Sequence, residues 1–248
     1  MFCQETEQLK FNIGISSGYA GNTTSDRLLN YYIYSGHTFL PLNVTGSYLR
    51  QKNLIIVKFF YYNLKSLPNN LNHAFYEYNY IKNWTTALDI AYYRKVLSIQ
   101  NNIRIFAGIE NSAYTIIHQE FYKNLLYDYA MGYRKSYDLT PVNLSPELLV
   151  SGSVKKNSIR LQAGFSLVTL ASRPSDDYTK QLGLNTKFTW KTYFPGNYKG
   201  WNLSVLYQYN IFKSFDLTAE FNVLYHSYAM DEYKYLQKLV FIGIIKEF

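Results

Sequence analysis

The sequence has few of the residues that build disulfide scaffolds, metal centres or membrane-spanning helices. It contains one cysteine, Cys3, and four histidines among 248 residues. An internal disulfide is therefore impossible, and no spacing of histidine, cysteine and carboxylate residues is typical of a zinc or calcium site. The longest apolar run, residues 239–245, is too short for a transmembrane helix, which needs about 18 residues. The sequence thus excludes a helical membrane protein and predicts no metal and no other cofactor.

Charged residues are also scarce, at 17% of the chain, against about 25% in an average soluble domain. Aromatic residues are abundant instead, with 27 tyrosines and 16 phenylalanines, which excludes an intrinsically disordered chain. The net charge is +8, but no run of Lys and Arg exceeds two residues and no nucleic-acid-binding motif accompanies the charge. We therefore expect no nucleic-acid partner and place the basic residues on loops and barrel walls.

Apolar and polar residues alternate with a period of two through most of the chain, which indicates β-strands. In residues 215–226, for example, the odd positions are mainly apolar and the even positions mainly polar. No heptad pattern, low-complexity tract or linker divides the chain, so a single domain is predicted. Strands are predicted near 9–20, 38–50, 53–64, 85–97, 102–117, 145–156, 159–167, 182–192, 201–212, 215–226 and 234–248.

These eleven segments leave one strand to assign, because a closed antiparallel barrel with both termini on one side needs an even number of strands. Residues 123–134 and 74–82 both alternate. We prefer 123–134, since this choice leaves 65–84 as one long outer loop. The other long connections are predicted at 21–37, 134–144 and 173–180.

The predicted fold class is therefore all-β, a closed antiparallel transmembrane β-barrel of about 12 strands, within a range of about 10 to 14. The barrel is expected to occupy residues 9–248 as one domain, and residues 1–8 form an N-terminal extension.

Alternation alone does not tell whether the apolar faces point inward, as in a soluble β-sandwich, or outward, as in a membrane barrel. Eight strands already give an interior that side chains fill, so twelve strands with an apolar interior would enclose a wide void. Aromatic residues also recur near the ends of the apolar faces, as in the interfacial girdles of membrane barrels. The outward orientation is therefore predicted, with the soluble sandwich as the alternative. The girdle residues are Tyr19, Tyr48, Trp84, Trp190, Phe194, Trp201 and Tyr225.

The C-terminal strand resembles that of bacterial outer-membrane β-barrel proteins. The chain ends in Phe248, preceded at alternate positions by Val240, Ile242 and Ile244, although Lys246 departs from the apolar pattern. The bias towards Tyr, Asn and Lys is similar to that of outer-membrane proteins of Bacteroidota. The resemblance implies a location in the bacterial outer membrane and recognition of these four apolar residues by the barrel-assembly machinery. The chain shows no signal peptide, but residues 2–5 fit the remainder of a removed one, so this decides nothing.

The polar faces of the predicted strands carry charges of both signs. In a narrow barrel, opposite charges that face each other brace the lumen. In a wider barrel they line a water-filled path and set its ion preference. Both interpretations, plug and pore, stay open at this point. The predicted lumen-facing charges are Asp89, Arg104, Glu110, Asp128, Arg134, Arg160, Lys187, Lys191, Asp216 and Glu220.

No catalytic residue is predicted. His118 and Glu120 share a face as a base and its orienting group would, but a solvated loop rim is the simpler interpretation. The sequence favours a non-enzymatic outer-membrane barrel that is a subunit or accessory of a larger transport or assembly complex. A stand-alone small-solute channel is the alternative, and a loop-sited hydrolase comes third. The expected partners are outer-membrane lipids and lipopolysaccharide, the barrel-assembly machinery and other outer-membrane proteins.

Overall fold

A computed structural model of the chain describes residues 9–26, 33–68, 80–99, 102–122, 132–174, 188–228 and 233–248. Within these ranges no helix is long and apolar enough to cross a membrane. The regular structure of these ranges consists of thirteen strands. They are β1 (Leu9–Asp26), β2 (Ile33–Phe39), β3 (Leu42–Arg50), β4 (Asn53–Pro68), β5 (Tyr80–Ile99), β6 (Ile103–Tyr122), β7 (Gly132–Val154), β8 (Asn157–Phe165), β9 (Val168–Pro174), β10 (Phe188–Tyr193), β11 (Tyr198–Phe212), β12 (Phe215–Tyr228) and β13 (Tyr233–Glu247).

The strands form one antiparallel sheet that closes on itself. From β1 the ring runs through β13, β12, β11 and β8 to β7. It continues through β6, β5 and β4 and returns to β1 through β2 and β3. The predicted fold class, a closed antiparallel all-β barrel, is thus confirmed.

Three positions of the ring hold two strands end to end. β2 and β3 both lie between β1 and β4, with a break at residues 40–41. β8 and β9 both pair with β7. β10 pairs with β9 while β11 pairs with β8, so these two also share one position. The ring therefore has ten strand positions, and an even number lets both ends of the chain lie at the same end of the barrel.

The ten strand positions are two fewer than the predicted twelve and lie at the lower limit of the predicted range. The sequence pattern counts two of these positions twice. Segments 182–192 and 201–212 are parts of one position, interrupted by a turn at residues 194–197. The preferred twelfth strand, 123–134, is not separate either, since its described part belongs to β7, which also contains 145–154. The alternative, 74–82, contributes its described residues to β5. Residues 74–79 and 123–131 lie outside the described ranges.

Several strands extend well beyond the predicted limits. Residues 134–144, predicted as a connection, lie in β7, and the predicted loop 65–84 supplies the end of β4 and the start of β5. β1 and β2 likewise take up much of 21–37. A strand that rises above the hydrocarbon layer no longer needs an apolar outer face, so the alternation that marks strands in sequence fades while the backbone pairing continues.

The barrel wall is apolar on the outside. Six apolar residues on six neighbouring strands show this. Each is paired in register with the next, so that they form one row around the wall, and all are substantially exposed. A soluble barrel would bury such residues. The exposed row therefore has the surface that a hydrocarbon environment requires. Its members are Leu217, Ile244, Ile15, Val44, Phe59 and Leu88.

Short turns connect the strands at the end of the barrel where the chain begins and ends. They lie at residues 51–52, 155–156 and 213–214. Gln51 and Lys155 adopt φ angles of 54° and 55° there, the left-handed region that tight hairpins use. Leu9 pairs with Arg50, and the Phe248 N–H donates to the Phe11 carbonyl at 2.9 Å, so the first and the last described residues lie at this end, here called the termini end.

Gly18 allows β1 and β13 to approach closely at the seam where the first and last strands close the barrel. A Cβ at Gly18 would lie 2.1 Å from the Val240 carbonyl oxygen, whereas a Cβ at Gly46 would meet nothing within 4 Å. We expect Gly18→Ala to lower the free energy of unfolding by about 1–3 kcal/mol, the usual cost of overpacking. Gly46→Ala is the matched control and should change it little. Urea titration of both variants in lipid vesicles checks this, and equal stabilities would contradict the close seam.

Candidate functional site within the barrel

A buried ion pair lies near the middle of the lumen. Lys58 Nζ of β4 is 2.6 Å from Glu220 Oε1 of β12, and both side chains are largely buried. Ser204 Oγ donates to the same carboxylate oxygen at 3.2 Å, and Asn43 Nδ2 donates to Oε2 at 3.3 Å. The carboxylate is thus paired with a cation and has hydrogen-bond partners on both oxygens, as a buried charge requires.

Two further carboxylates, Glu110 of β6 and Glu147 of β7, share two amide donors. Gln162 Nε2 donates to Glu110 Oε2 at 3.0 Å and to Glu147 Oε2 at 2.7 Å. Asn202 Nδ2 donates to the Oε1 atoms of Glu110 and Glu147 at 3.1 and 2.6 Å, and the Tyr93 hydroxyl donates to Glu147. These bonds join five strands across the lumen. We call the residues of this network and of the ion pair, together with Asp89 and Arg160, the polar belt.

Little space is left between the side chains of the polar belt. A cavity of about 30 Å³ lies against Lys58, Asp89 and Glu110, and another of about 20 Å³ lies against Lys58, Arg160 and Glu220. Cavities of this size have room for a few water molecules, so the described side chains of the belt leave little open space between them.

Aromatic side chains fill the lumen on the loop side of the polar belt. Seven of them, contributed by five strands, are between 1% and 4% exposed. The hydroxyls of Tyr62 and Tyr235 hydrogen-bond to each other, and the Tyr198 hydroxyl bonds to His226 Nδ1. The rings of Tyr114 and His226 meet edge to face at 5.3 Å, a favourable aromatic geometry. This aromatic plug comprises Phe60, Tyr62, Tyr114, Tyr198, His226, Tyr233 and Tyr235.

An apolar core lies on the other side of the belt, towards the termini end, along four adjacent strands. It places Leu54 and Ile56 of β4 against the neighbouring strands β5, β6 and β7, and all its members are buried. Three groups of described lumen side chains thus follow one another along the barrel: the apolar core, the polar belt and the aromatic plug. The other members of the core are Ala91, Phe106, Leu149 and the ring of Tyr93, whose hydroxyl belongs to the polar belt.

Four of the predicted lumen charges meet in the polar belt: Asp89, Glu110, Arg160 and Glu220. Asp216 lies nearer the termini end, where it accepts a bond from Asn210 Nδ2 at 2.8 Å.

The remaining predicted charges lie outside the belt. Arg104 is half-buried on β6, two residues from buried Phe106. Lys191 is exposed on β10, in register with Ala171. The backbone of Arg134 lies in β7, but its side chain is outside the described part, as are Asp128 and Lys187.

Lys58 and Glu147 belong to the belt but are not among the predicted lumen charges. Around Lys58 both faces of β4 are apolar, from Leu54 to Leu64, so the sequence does not show which face is inward. The sequence does indicate that Glu147 faces the lumen, because Asn143, Ser145 and Glu147 alternate with apolar residues. That alternation begins at Asn143, inside the predicted connection 134–144, before the predicted strand starts at residue 145.

The histidines offer no catalytic arrangement in the described residues. His226 lies in the aromatic plug with Nδ1 bonded to Tyr198. His118 and Glu120 lie in β6, with side chains outside the described part. Where side chains are described, no group of three or more His, Cys, Asp and Glu residues could hold a metal ion.

The residues that resemble an assembly signal lie on the outer wall. Val240, Ile242 and Ile244 of β13 point away from the lumen and are exposed, as is Phe248 beyond the strand end. Lys246, the residue that departs from the apolar pattern, places Nζ 4.6 Å from the centre of the Phe248 ring. This cation–π contact explains how a lysine is accommodated between Ile244 and Phe248 on the outer wall.

Comparison with known proteins gives a likeness in structure only. No protein-family model and no curated protein matches the chain. It is similar to the outer membrane protease OmpT of Escherichia coli, at 9% identity and a TM-score of 0.56, over 99% of this chain and 98% of that one. The transport unit of the autotransporter AIDA-I of Escherichia coli is 11% identical, with a TM-score of 0.43, over 100% and 93%. At these identities the likeness to OmpT shows the fold alone: a closed antiparallel barrel of the outer-membrane type.

Proposed function

We propose that this protein is a non-enzymatic barrel of a bacterial outer membrane whose lumen is closed by its own side chains. It acts as a structural or accessory subunit of a larger outer-membrane assembly, through its outer wall and its loop end. The observation that carries the proposal is the filled lumen, in which the ion pair Lys58–Glu220 and the aromatic plug occupy the space a channel would need.

The outer-membrane location is supported by the arrangement of the wall. An apolar exterior, an even number of strand positions and short turns at the end with both termini are features of bacterial outer-membrane barrels. In β1 the outward residues from Phe11 to Tyr19 span about 20 Å across the membrane, allowing for strand tilt. Both rings belong to aromatic clusters on the wall, with Phe248 and with Phe39. This height suits the apolar band of such barrels.

The outward apolar residues of β13 support a further part of the proposal, recognition by the barrel-assembly machinery. Val240, Ile242 and Ile244 are presented on one face of the last strand. Phe248 follows with its backbone bonded to Phe11 of β1, so the signal lies at the seam between the first and the last strand.

A channel would conduct ions, and a subunit would have partners, so two measurements on one sample test the proposal. The protein is extracted from native membranes in mild detergent, and its mass and co-purifying chains are determined. The same sample is then reconstituted into a planar bilayer. We expect stoichiometric partner chains and no unit conductance. Discrete conductance steps from the pure barrel would favour the small-solute channel, and absence from the membrane fraction would overturn the location.

A further inference from the structure

A polar notch interrupts the outer wall of the barrel across β13, β1 and β2. Its floor is Gly21, which lacks a side chain and is paired in register with Lys238 on one side and His37 on the other. The notch encloses about 230 Å³ and is open to the outside. This indentation lies on the opposite side of the wall from the lumen cavities.

The side chains around this floor are mostly polar or aromatic, and Leu236, which is paired with Thr23, is the one apolar side chain among the described lining residues. Thr23 and Ser35 border the notch on the loop side, with their hydroxyls 3.2 Å apart. On the termini side the Tyr19 hydroxyl lies over Gly21, 2.8 Å from where a Cβ would be. The Tyr19 ring stacks on His37 at 6.0 Å. No acidic residue is among the described residues that line the notch.

The positive charge of the notch continues along the same register row. His37 is paired with Lys65 of β4, and Lys65 is paired with Lys82 of β5. Together with Lys238 this row places three lysines and a histidine across five adjacent strands at one level. Lysine ammonium groups and hydroxyls are suitable ligands for a phosphate group.

The surface directly below the notch is strongly apolar. Phe39 packs on Tyr19 at 5.7 Å and is 70% exposed, and Leu40 beside it is 83% exposed. Leu40 has a φ of 66°, uncommon for a leucine, and its N–H donates to the Gly18 carbonyl at 2.9 Å. Val240 continues the apolar surface on β13. Cationic donors above and exposed apolar side chains below match the polarity of a phosphorylated lipid.

We propose that this notch binds the phosphate group of an outer-leaflet lipid, with Lys238 as the principal cation and Thr23, Ser35 and Tyr19 as hydroxyl donors. The acyl chains then lie along Phe39, Leu40 and Val240. The site rests on the proposed location in the outer membrane, which supplies phosphorylated lipids at this level: lipopolysaccharide or a phospholipid.

Native mass spectrometry of the full chain in detergent tests this site. The probes are lipopolysaccharide, phosphatidylglycerol, phosphatidylcholine and inorganic phosphate. Lys238→Gln removes the charge, and Gly21→Val fills the floor without changing charge. Lys213→Gln is the matched control, because Lys213 lies in a turn at the termini end. We expect both notch variants to weaken binding of one phosphorylated anionic lipid by about tenfold or more, and Lys213→Gln to leave it unchanged.

The probes distinguish the sources of the phosphate. Preference for lipopolysaccharide or for phosphatidylglycerol identifies the lipid and supports the site. Equal binding of phosphatidylcholine, binding of inorganic phosphate alone, or equal losses in Lys213→Gln would overturn it. Insertion of the same preparation into vesicles is measured in parallel by its resistance to carbonate extraction. Failure to insert contradicts the outer-membrane location, whereas insertion without lipid preference contradicts only the notch.

Discussion

Replacing Lys58 by methionine is expected to lower the free energy of unfolding by about 3–5 kcal/mol, because it leaves the Glu220 carboxylate buried without its cation. The ammonium group lies 2.6 Å from Glu220 Oε1, and Asn43 and Ser204 are neutral donors to the same carboxylate. Methionine keeps most of the apolar stem of lysine, so the loss of the charge, rather than a cavity, dominates the effect.

The double variant Lys58→Met/Glu220→Gln separates the cost of leaving Glu220 buried without a cation from the net contribution of the ion pair. With both charges of the pair gone neither partner is left as an unpaired charge, and glutamine retains an acceptor for Asn43 or Ser204, so most of the lost stability should return. Urea titration in lipid vesicles measures all three proteins. In a water-filled lumen the same pair would be screened and worth only about 0–1 kcal/mol. A Lys58→Met variant as stable as the original chain would therefore contradict the closed lumen.

The sequence predicts the inside and outside of the barrel best where one face of a strand is polar. In β12 the alternation predicts Leu217 and Phe221 on one face and Glu220 on the other, and the first two are exposed while Glu220 is buried in the lumen. In β4 the residues flanking Lys58 are apolar on both faces, because its inward residues build the apolar core and the aromatic plug. When apolar side chains fill the lumen, the inward face of a strand is as apolar as its outward face, and the alternation that would identify the inward face is lost.

The number of strand positions follows from pairing, which composition does not encode. The turn at residues 194–197 resembles a hairpin in sequence, yet β10 and β11 continue in the same direction on either side of it, paired with β9 and β8. The partners of the buried charges are equally non-local. Lys58 and Glu220 are 162 residues apart, and only closure of the ring brings β4 and β12 to opposite sides of one lumen.

Phe59, the residue next to Lys58, points in the opposite direction and tests the outer surface. It is 37% exposed and lies in the apolar row between Val44 and Leu88. An arginine near the bilayer midplane of a membrane barrel costs about 2–4 kcal/mol. We therefore expect Phe59→Arg to lower the free energy of unfolding in lipid vesicles by about that amount.

The matched control is Asn63→Arg in the same strand. Asn63 also faces outward, but it lies four residues nearer the loop end, paired with Trp84 at the level of the aromatic girdle. Near the interface an arginine costs only about 0–1 kcal/mol, because its side chain reaches the polar headgroups. The difference between the two variants measures how the membrane environment changes along β4. In a soluble barrel both positions would face water, where surface substitutions usually change stability by about 0.5 kcal/mol or less. Similar small effects at residues 59 and 63 would therefore refute the membrane-facing wall, whatever fills the lumen.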